Sequence, residues 1–127
     1  MDGFSFVHRE TVRFNDLDGM GHVNNAVFST YLEQARLAWF GSDGEMAQSD
    51  VILARTEIDF RAPVGFGDVV EIGVRPARLG TKSFELEYEL RSDGRVVAKA
   101  KSVLVGYDYG RAESTQIPER WRRRLSE

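Results

Sequence analysis

Between Asp16 and Asn25 the chain reads DLDGMGHVNN. Two carboxylates, two glycines, an imidazole and two carboxamides are far more polar chemistry than a connector needs. Asp16 and Asp18 share one connection between a strand-like pattern and a helix-like one. The first turn of a helix presents unpaired backbone N–H groups and the positive end of its dipole, so it favours an oxyanion or a polarised carbonyl oxygen. Gly19 and Gly21 let the backbone approach a ligand closely. A carboxylate beside an oxyanion site is the minimal equipment for acyl transfer from an activated ester. A thioester fits such sparse equipment, because its leaving thiolate has a pKa near ~8.5 and departs without a strong general acid. The chain has no cysteine, and neither histidine stands in a serine-protease arrangement. The chemistry then requires one carboxylate, water and an oxyanion hole.

The flanking segments say how the loop is held. In FSFVHRETVRF, Phe4, Phe6, Val12 and Phe14 alternate with polar residues, the period-2 signature of a half-buried strand, with His8 and Glu10 interrupting its apolar face. After the loop, Val27, Phe28, Tyr31, Leu32, Ala35, Ala38 and Trp39 recur at helical spacing, and Asn24 or Asn25 suits the N-cap. A helix from about Ala26 to Phe40, ended by GSDGE, is expected. Four further strands follow. The first carries Ile52, Ala54, Ile58 and Phe60 on one face, and the second Val70, Ile72 and Val74. The third carries Phe84, Leu86, Tyr88 and Leu90 against Glu85, Glu87 and Glu89. Asp93-Gly94 makes a tight hairpin into the fourth, which turns apolar on both faces from Val103 to Val105 and so belongs in the middle of a sheet. The economical arrangement is an α+β domain over residues 1–127, an antiparallel sheet of about five strands wrapped around one long helix, with a short C-terminal helix from RWRRRL.

Composition narrows the function. At 127 residues the chain fits one domain able to build its own core. Seventeen basic against twenty acidic side chains give a net charge of −3, which offers no electrostatic case for nucleic acid. RWRRRL reads as a helix with a solvated charged face. The lack of cysteine suits a reducing cytoplasm, and no apolar run approaches the roughly 18 residues of a membrane span. A cytoplasmic protein free of nucleic acid and membrane is therefore expected.

The run from Asp16 to Asn25, with Tyr31, Glu33, Ala35 and Arg36 after it, resembles the signature of the hot-dog-fold thioesterases of the 4-hydroxybenzoyl-CoA thioesterase and acyl-CoA thioesterase superfamily. FRAPVGFGD (Phe60 to Asp68) and LGTKSFELEYEL (Leu79 to Leu90) extend the likeness to about Tyr107. The resemblance implies a curved antiparallel sheet around a long helix, and hydrolysis of an acyl-CoA to free acid and CoA without a cofactor or metal. It casts Asp18 as the catalytic carboxylate, nucleophile or general base, and the backbone N–H of Asn25 as the group polarising the carbonyl. His22 and Asn24 become site residues that orient substrate or hold the loop. The pantetheine arm is implied to pass along Thr81, Lys82 and Ser83, with CoA or an acyl carrier protein as the thiol. A site between subunits implies a homodimer or homotetramer. Two departures bear on substrate. Phe28 stands where relatives often carry Tyr, and Asn15-Asp16 replaces the aromatic-Gly-Asp start of the 4-hydroxybenzoyl-CoA enzymes, so that substrate is not assigned.

Simpler roles compete at each position. Asp16 suits a turn, accepting backbone N–H bonds, and that role is preferred for it. Asn24 and Asn25 suit capping. Glu33 is read as structural, Lys82 as a solvated hairpin charge outside the resemblance, and Val27, Phe28 and Tyr31 as either core or acyl-pocket residues. A hot-dog enoyl-thioester hydratase fits less well, because Asp18 and His22 lack the Asp-x4-His spacing. The EF-hand pattern fails, and no further metal ligands gather near Asp16 and Asp18. A non-catalytic acyl-thioester binding protein is the remaining alternative.

Overall fold

Strict alternation in SFELEYELRS produces a strand with one face in the core. Every second residue from Phe84 to Ser92 is buried, and the intervening glutamates are not. The computed structural model describes Met1, residues 3–41 and residues 50–126. Its elements run β1 (Phe6–Thr11), α1 (Asn25–Gly41), β2 (Val51–Phe60), β3 (Val69–Leu79), β4 (Ser83–Ser92), β5 (Arg95–Asp108), β6 (Glu113–Ser114) and α2 (Glu119–Leu125). A 3-10 turn at Phe14–Asp16 lies between β1 and α1. The curved antiparallel sheet has the order β1-β3-β4-β5-β2, and the two-residue β6, which the sequence patterns do not signal, pairs with β5. Buried residues from Val12 to Leu125 form one cluster, which takes in Tyr31, Leu32 and Ala35 of α1 and Ile72, Leu86, Leu90 and Leu104 of the sheet. Among the described residues no helix is long and apolar enough to cross a membrane.

Most of the expected patterns appear. The central place of β5 between β4 and β2 matches its apolar run, and Asp93 (φ 53°) with Gly94 (φ 77°) has the two left-handed residues of a type I′ hairpin. The two interruptions of the β1 face bond to each other, His8 Nε2 donating to Glu10 Oε1 at 2.8 Å. The expected helix stop at GSDGE falls largely outside the described residues; the helix itself reaches Gly41.

Three expectations change. Phe14 does not share the buried face of the first strand. β1 ends at Thr11, and Phe14 sits 75% exposed in the 3-10 turn, edge-on to Phe66. In β2 a bulge at Ala54 shifts the register, so Leu53 pairs with Leu104 and Ile52 with Val105. Ile52 therefore leaves the face that carries Ile58 and Phe60, and Leu53 replaces it. The basic run in α2 is less a solvated face than a clamp. Arg122 donates to the Gly80 carbonyl at 2.8 and 2.9 Å, and Arg124 donates to the Phe40 and Trp39 carbonyls at the end of α1. Arg120 pairs with Asp50. Arg122 and Arg124 satisfy carbonyls that the hairpin and the helix leave open.

Candidate active site

The loop between β1 and α1 is anchored by its first aspartate. Asp16 is buried and accepts from the Arg13 N–H at 2.9 Å and from the Tyr31 hydroxyl at 2.7 Å. Its backbone carbonyl accepts from the Asn24 N–H at 2.9 Å. Burial alone would raise the Asp16 carboxyl, but the Arg13 N–H, the Tyr31 hydroxyl and the Arg13 guanidinium outweigh it and hold the pKa below its ordinary 3.8. Burial, and then the facing carboxylate, push the Tyr31 phenol above its ordinary value. The sequence marks Asp16 as a turn former but gives no sign that a helix residue fifteen positions on completes the anchor.

Asp18 is the exposed member of the pair. Its Oδ1 accepts from the Met20 N–H at 2.8 Å and the His22 N–H at 3.3 Å, and its own N–H donates to the His22 carbonyl at 2.7 Å. This small turn needs the left-handed backbone of Gly21, φ 81°. Among the described residues no hydrogen bond engages Oδ2, so one oxygen of Asp18 is fixed and the other free. The far side of the turn is tied to the segment after β2, where His22 bridges to Gly65 and the Val23 N–H donates to the Val64 carbonyl at 2.8 Å.

Asn24 caps α1. Its Oδ1 accepts from the Ala26 N–H at 2.9 Å and its carbonyl accepts from Val27. The Asn25 N–H lies in the same first turn without a hydrogen-bond partner among the described residues. Asp18, His22, Asn25 and Phe28 line one open depression of ≈ 300 Å³, closed on the other side by Phe60, Arg61, Ala62 and Pro63. Phe28 and Phe60 meet edge to face at 5.2 Å and give it an apolar floor. A carboxylate oxygen, an unpaired helix-start N–H and an apolar wall thus converge. That arrangement can polarise a carbonyl while a carboxylate acts on it or on water.

Thr81, Lys82 and Ser83 lie elsewhere. They form the β3–β4 hairpin, at the opposite end of β3 from the Asp68 carbonyl that accepts from Val12 beside the loop. Within one chain they do not meet Asp18. The Phe60 to Pro63 wall lies in a stretch whose likeness is legible in the sequence, but which side of the loop it faces is set by tertiary contacts. Among the described residues no three His, Asp or Glu side chains gather as metal ligands.

A family model described as the thioesterase-like superfamily matches residues 12–125. The chain is 30% identical over 88 residues to YsmA of Bacillus subtilis, a match spanning 67% of this chain and 60% of that protein. It is 27% identical over 122 residues to a 1,4-dihydroxy-2-naphthoyl-CoA hydrolase of Nostoc punctiforme, covering 91% and 82% of the two chains. A thioesterase of Thermus thermophilus, solved in complex with coenzyme A and Zn, superposes with a TM-score of 0.88 at 37% identity over 98% of this chain and 94% of that one. A 1,4-dihydroxy-2-naphthoyl-CoA thioesterase of Synechocystis shares the fold, with a TM-score of 0.87 at 21% identity over 96% of each.

Proposed function

The chain belongs to the thioesterase-like superfamily, and we propose that it hydrolyses acyl-CoA thioesters to free acid and CoA, as one domain over residues 1–127. The observation that carries this reading is the shared depression of Asp18, His22, Asn25 and Phe28. The thioester carbonyl accepts from the Asn25 N–H, at the positive end of α1. Asp18 Oδ2 then acts in one of two ways. As general base it takes a proton from water as the water oxygen bonds to the carbonyl carbon; the tetrahedral oxyanion collapses, the C–S bond breaks, and the thiolate recovers the proton. As nucleophile it displaces the thiolate itself to give a mixed anhydride, which water cleaves. Label in the Asp18 carboxyl group after one turnover in ¹⁸O-water would establish the anhydride route with water attacking the Asp18 carbonyl; general-base hydrolysis, and attack at the acyl carbonyl of the anhydride, both put the label in the product acid. His22 frames the depression and holds Asp18 through its backbone, and Asn24 holds the helix start.

The test is thiol release from short, medium, long and aromatic acyl-CoAs, including the 1,4-dihydroxy-2-naphthoyl thioester suggested by the similar hydrolases. Asp18→Asn keeps an oxygen for the Met20 and His22 N–H groups and so keeps the loop. Loss of about 10²- to 10⁴-fold in kcat with an unchanged melting temperature is expected. Activity that survives the substitution would remove Asp18 from the chemistry, and no release from any thioester would leave a binding role.

The protein that acts is proposed to be a homodimer. β2 is an edge strand with Leu53 and Phe60 more than 40% exposed, an arrangement that invites a second copy. We place the two-fold axis of this proposed dimer at Thr56, which sets Arg55 opposite Glu57 of the other copy. With the Ala54 bulge skipped, it sets Leu53 opposite Ile58 and Val51 opposite Phe60. The row Ser83–Val105–Ile52 of one copy then ends beside Asp59 of the other, about 14 Å from Ser83 at strand spacing. This brings Thr81, Lys82 and Ser83 to the same end of the joint sheet as the other copy's Asp18, which supports their proposed contact with the CoA arm.

A further inference from the structure

A second depression, of ≈ 220 Å³, opens farther along α1. Glu33, Arg36 and Phe40 of α1 line it with Leu53, Leu104 and Tyr109. Both depressions lie between α1 and the side of the sheet that carries β2, the first near Phe60 and the second near Leu53. Phe28 and Arg36 lie about 12 Å apart along the helix axis at its rise per residue, the span of a medium-length acyl chain. Helical side chains lean toward the N-terminus, so the Arg36 side chain leans toward the Asp18 end.

Arg36, the cation of this lining, has few partners among the described residues, and the Tyr88 and Ser102 hydroxyls lie behind it, outside the lining. Arg36 is 6% exposed, and its one ion pair among the described residues is to Glu33 at 3.9 Å, a carboxylate itself near half exposed. A guanidinium has five N–H groups to satisfy, and leaving them short of partners in a buried place is costly. Tyr88 Oη and Ser102 Oγ are buried without a hydrogen-bond partner. Burial raises the Tyr88 phenol, while the nearby Arg36 charge and weak hydrogen bonding with Ser102 and Arg36 act in the opposite sense, so the three groups are neighbours that satisfy one another only in part.

We propose that Arg36, backed by the Tyr88 and Ser102 hydroxyls, recognises a hydrogen-bond-accepting oxygen at the far end of a medium-length acyl group. This rests on the acyl-CoA reading above and adds the substrate class. An unsubstituted alkyl end leaves the guanidinium with only its distant Glu33 pair and the weak Tyr88 contact, whereas an ω-hydroxyl or ω-carboxylate oxygen adds a full acceptor. The carboxylate also meets Glu33, so the two oxygen sources are separable.

The experiment compares kcat/KM of the full-length protein for octanoyl-, decanoyl- and dodecanoyl-CoA, each beside its ω-hydroxy and ω-carboxy counterpart. At one length or more, an oxygen-ended thioester should exceed its plain partner by about tenfold or more. Glu33→Gln should raise the ω-carboxy member selectively if carboxylate is the natural end and leave the ratio unchanged if hydroxyl is. Arg36→Met, which keeps an apolar stem, should bring the ratio to about one. Arg36→Lys and Tyr88→Phe serve if the Met variant fails to fold. Plain acyl-CoAs hydrolysed as well as or better than their counterparts by wild type overturn the inference, as does a preference that survives loss of Arg36. If the wider panel is hydrolysed but no medium-length member is, the inference fails and the thioesterase reading stands; if nothing is hydrolysed, both fail.

Discussion

At the scale of single residues, the two aspartates of the loop divide their labour by environment. Asp16, buried and held by Arg13 and Tyr31, fixes the loop; Asp18, exposed with one oxygen pinned, faces the depression. Tyr31→Phe removes a donor to a buried carboxylate and is expected to cost about 1.5–3 kcal/mol, read by urea denaturation. The sign with pH follows from the depressed Asp16 pKa. Its contribution is present above the ordinary value of 3.8 and lost as pH falls through the lower folded value. Without the Tyr31 hydroxyl the folded value rises, so acid unfolding of Tyr31→Phe should begin at higher pH than in wild type. Equal acid midpoints would show that the bond contributes nothing. The Tyr31 phenol, raised in the fold, contributes in the opposite range, its share being lost as pH climbs above its ordinary 10.0. Gly21 tests the turn rather than the carboxylate. A Cβ there meets nothing within 4 Å, but φ is +81°, so Gly21→Ala should cost about 1–2 kcal/mol of backbone strain. Relief of that strain would move the Met20 and His22 N–H groups off Asp18, and kcat should fall more than stability does.

At the scale of elements, α2 is the tie between the C-terminal end of α1 and the β3–β4 hairpin. Trp121 is fully buried, with ring contacts to Phe40 at 4.8 Å and Phe84 at 5.5 Å, and its indole N–H donates to Asp50 at 3.1 Å. Trp121→Ala should destabilise by about 3–5 kcal/mol in denaturant titration. The helix start and Asp18 lie at the other end of α1, so kcat of the fraction that remains folded should be near wild type. A large kcat effect would mean that the α1 C-terminus communicates with the site. RWRRRL showed a helix and its two apolar anchors in sequence. That its arginines close the carbonyls of Gly80, Trp39 and Phe40 was not legible, because those acceptors lie some forty and more than eighty residues away.

At the scale of the whole molecule, the exposed β2 edge makes the dimer testable. The chain has no cysteine, so Thr56→Cys introduces a single thiol. On the proposed two-fold axis its Cβ faces its own copy at the roughly 4.5–5.5 Å of a cross-strand pair. Oxidation should give a disulfide-linked dimer on non-reducing gels, whereas thiols at Val51 or Phe60 should not link to themselves. Ile58→Asp places a charge opposite Leu53 of the other copy and should shift the mass in solution to the monomer, with thiol release falling alongside. Full activity in a monomer would detach the site from the interface.

The sequence by itself determined the elements and the chemistry available to them. Alternation and helical spacing are local properties, so β4, α1, the Asp93-Gly94 hairpin and the polar loop from Asp16 to Asn25 were readable without any knowledge of their neighbours. Tertiary structure decided what each element met. It set the bulge at Ala54 that exchanged Ile52 for Leu53, the exposure of Phe14, the burial of Asp16 beside Tyr31, and the Phe60 to Pro63 wall facing Asp18. It also gathered Arg36, Tyr88 and Ser102, which three separate elements supply. Such features depend on pairing register and on side-chain contacts between segments distant in the chain, and a periodic pattern carries no information about which distant segment will arrive.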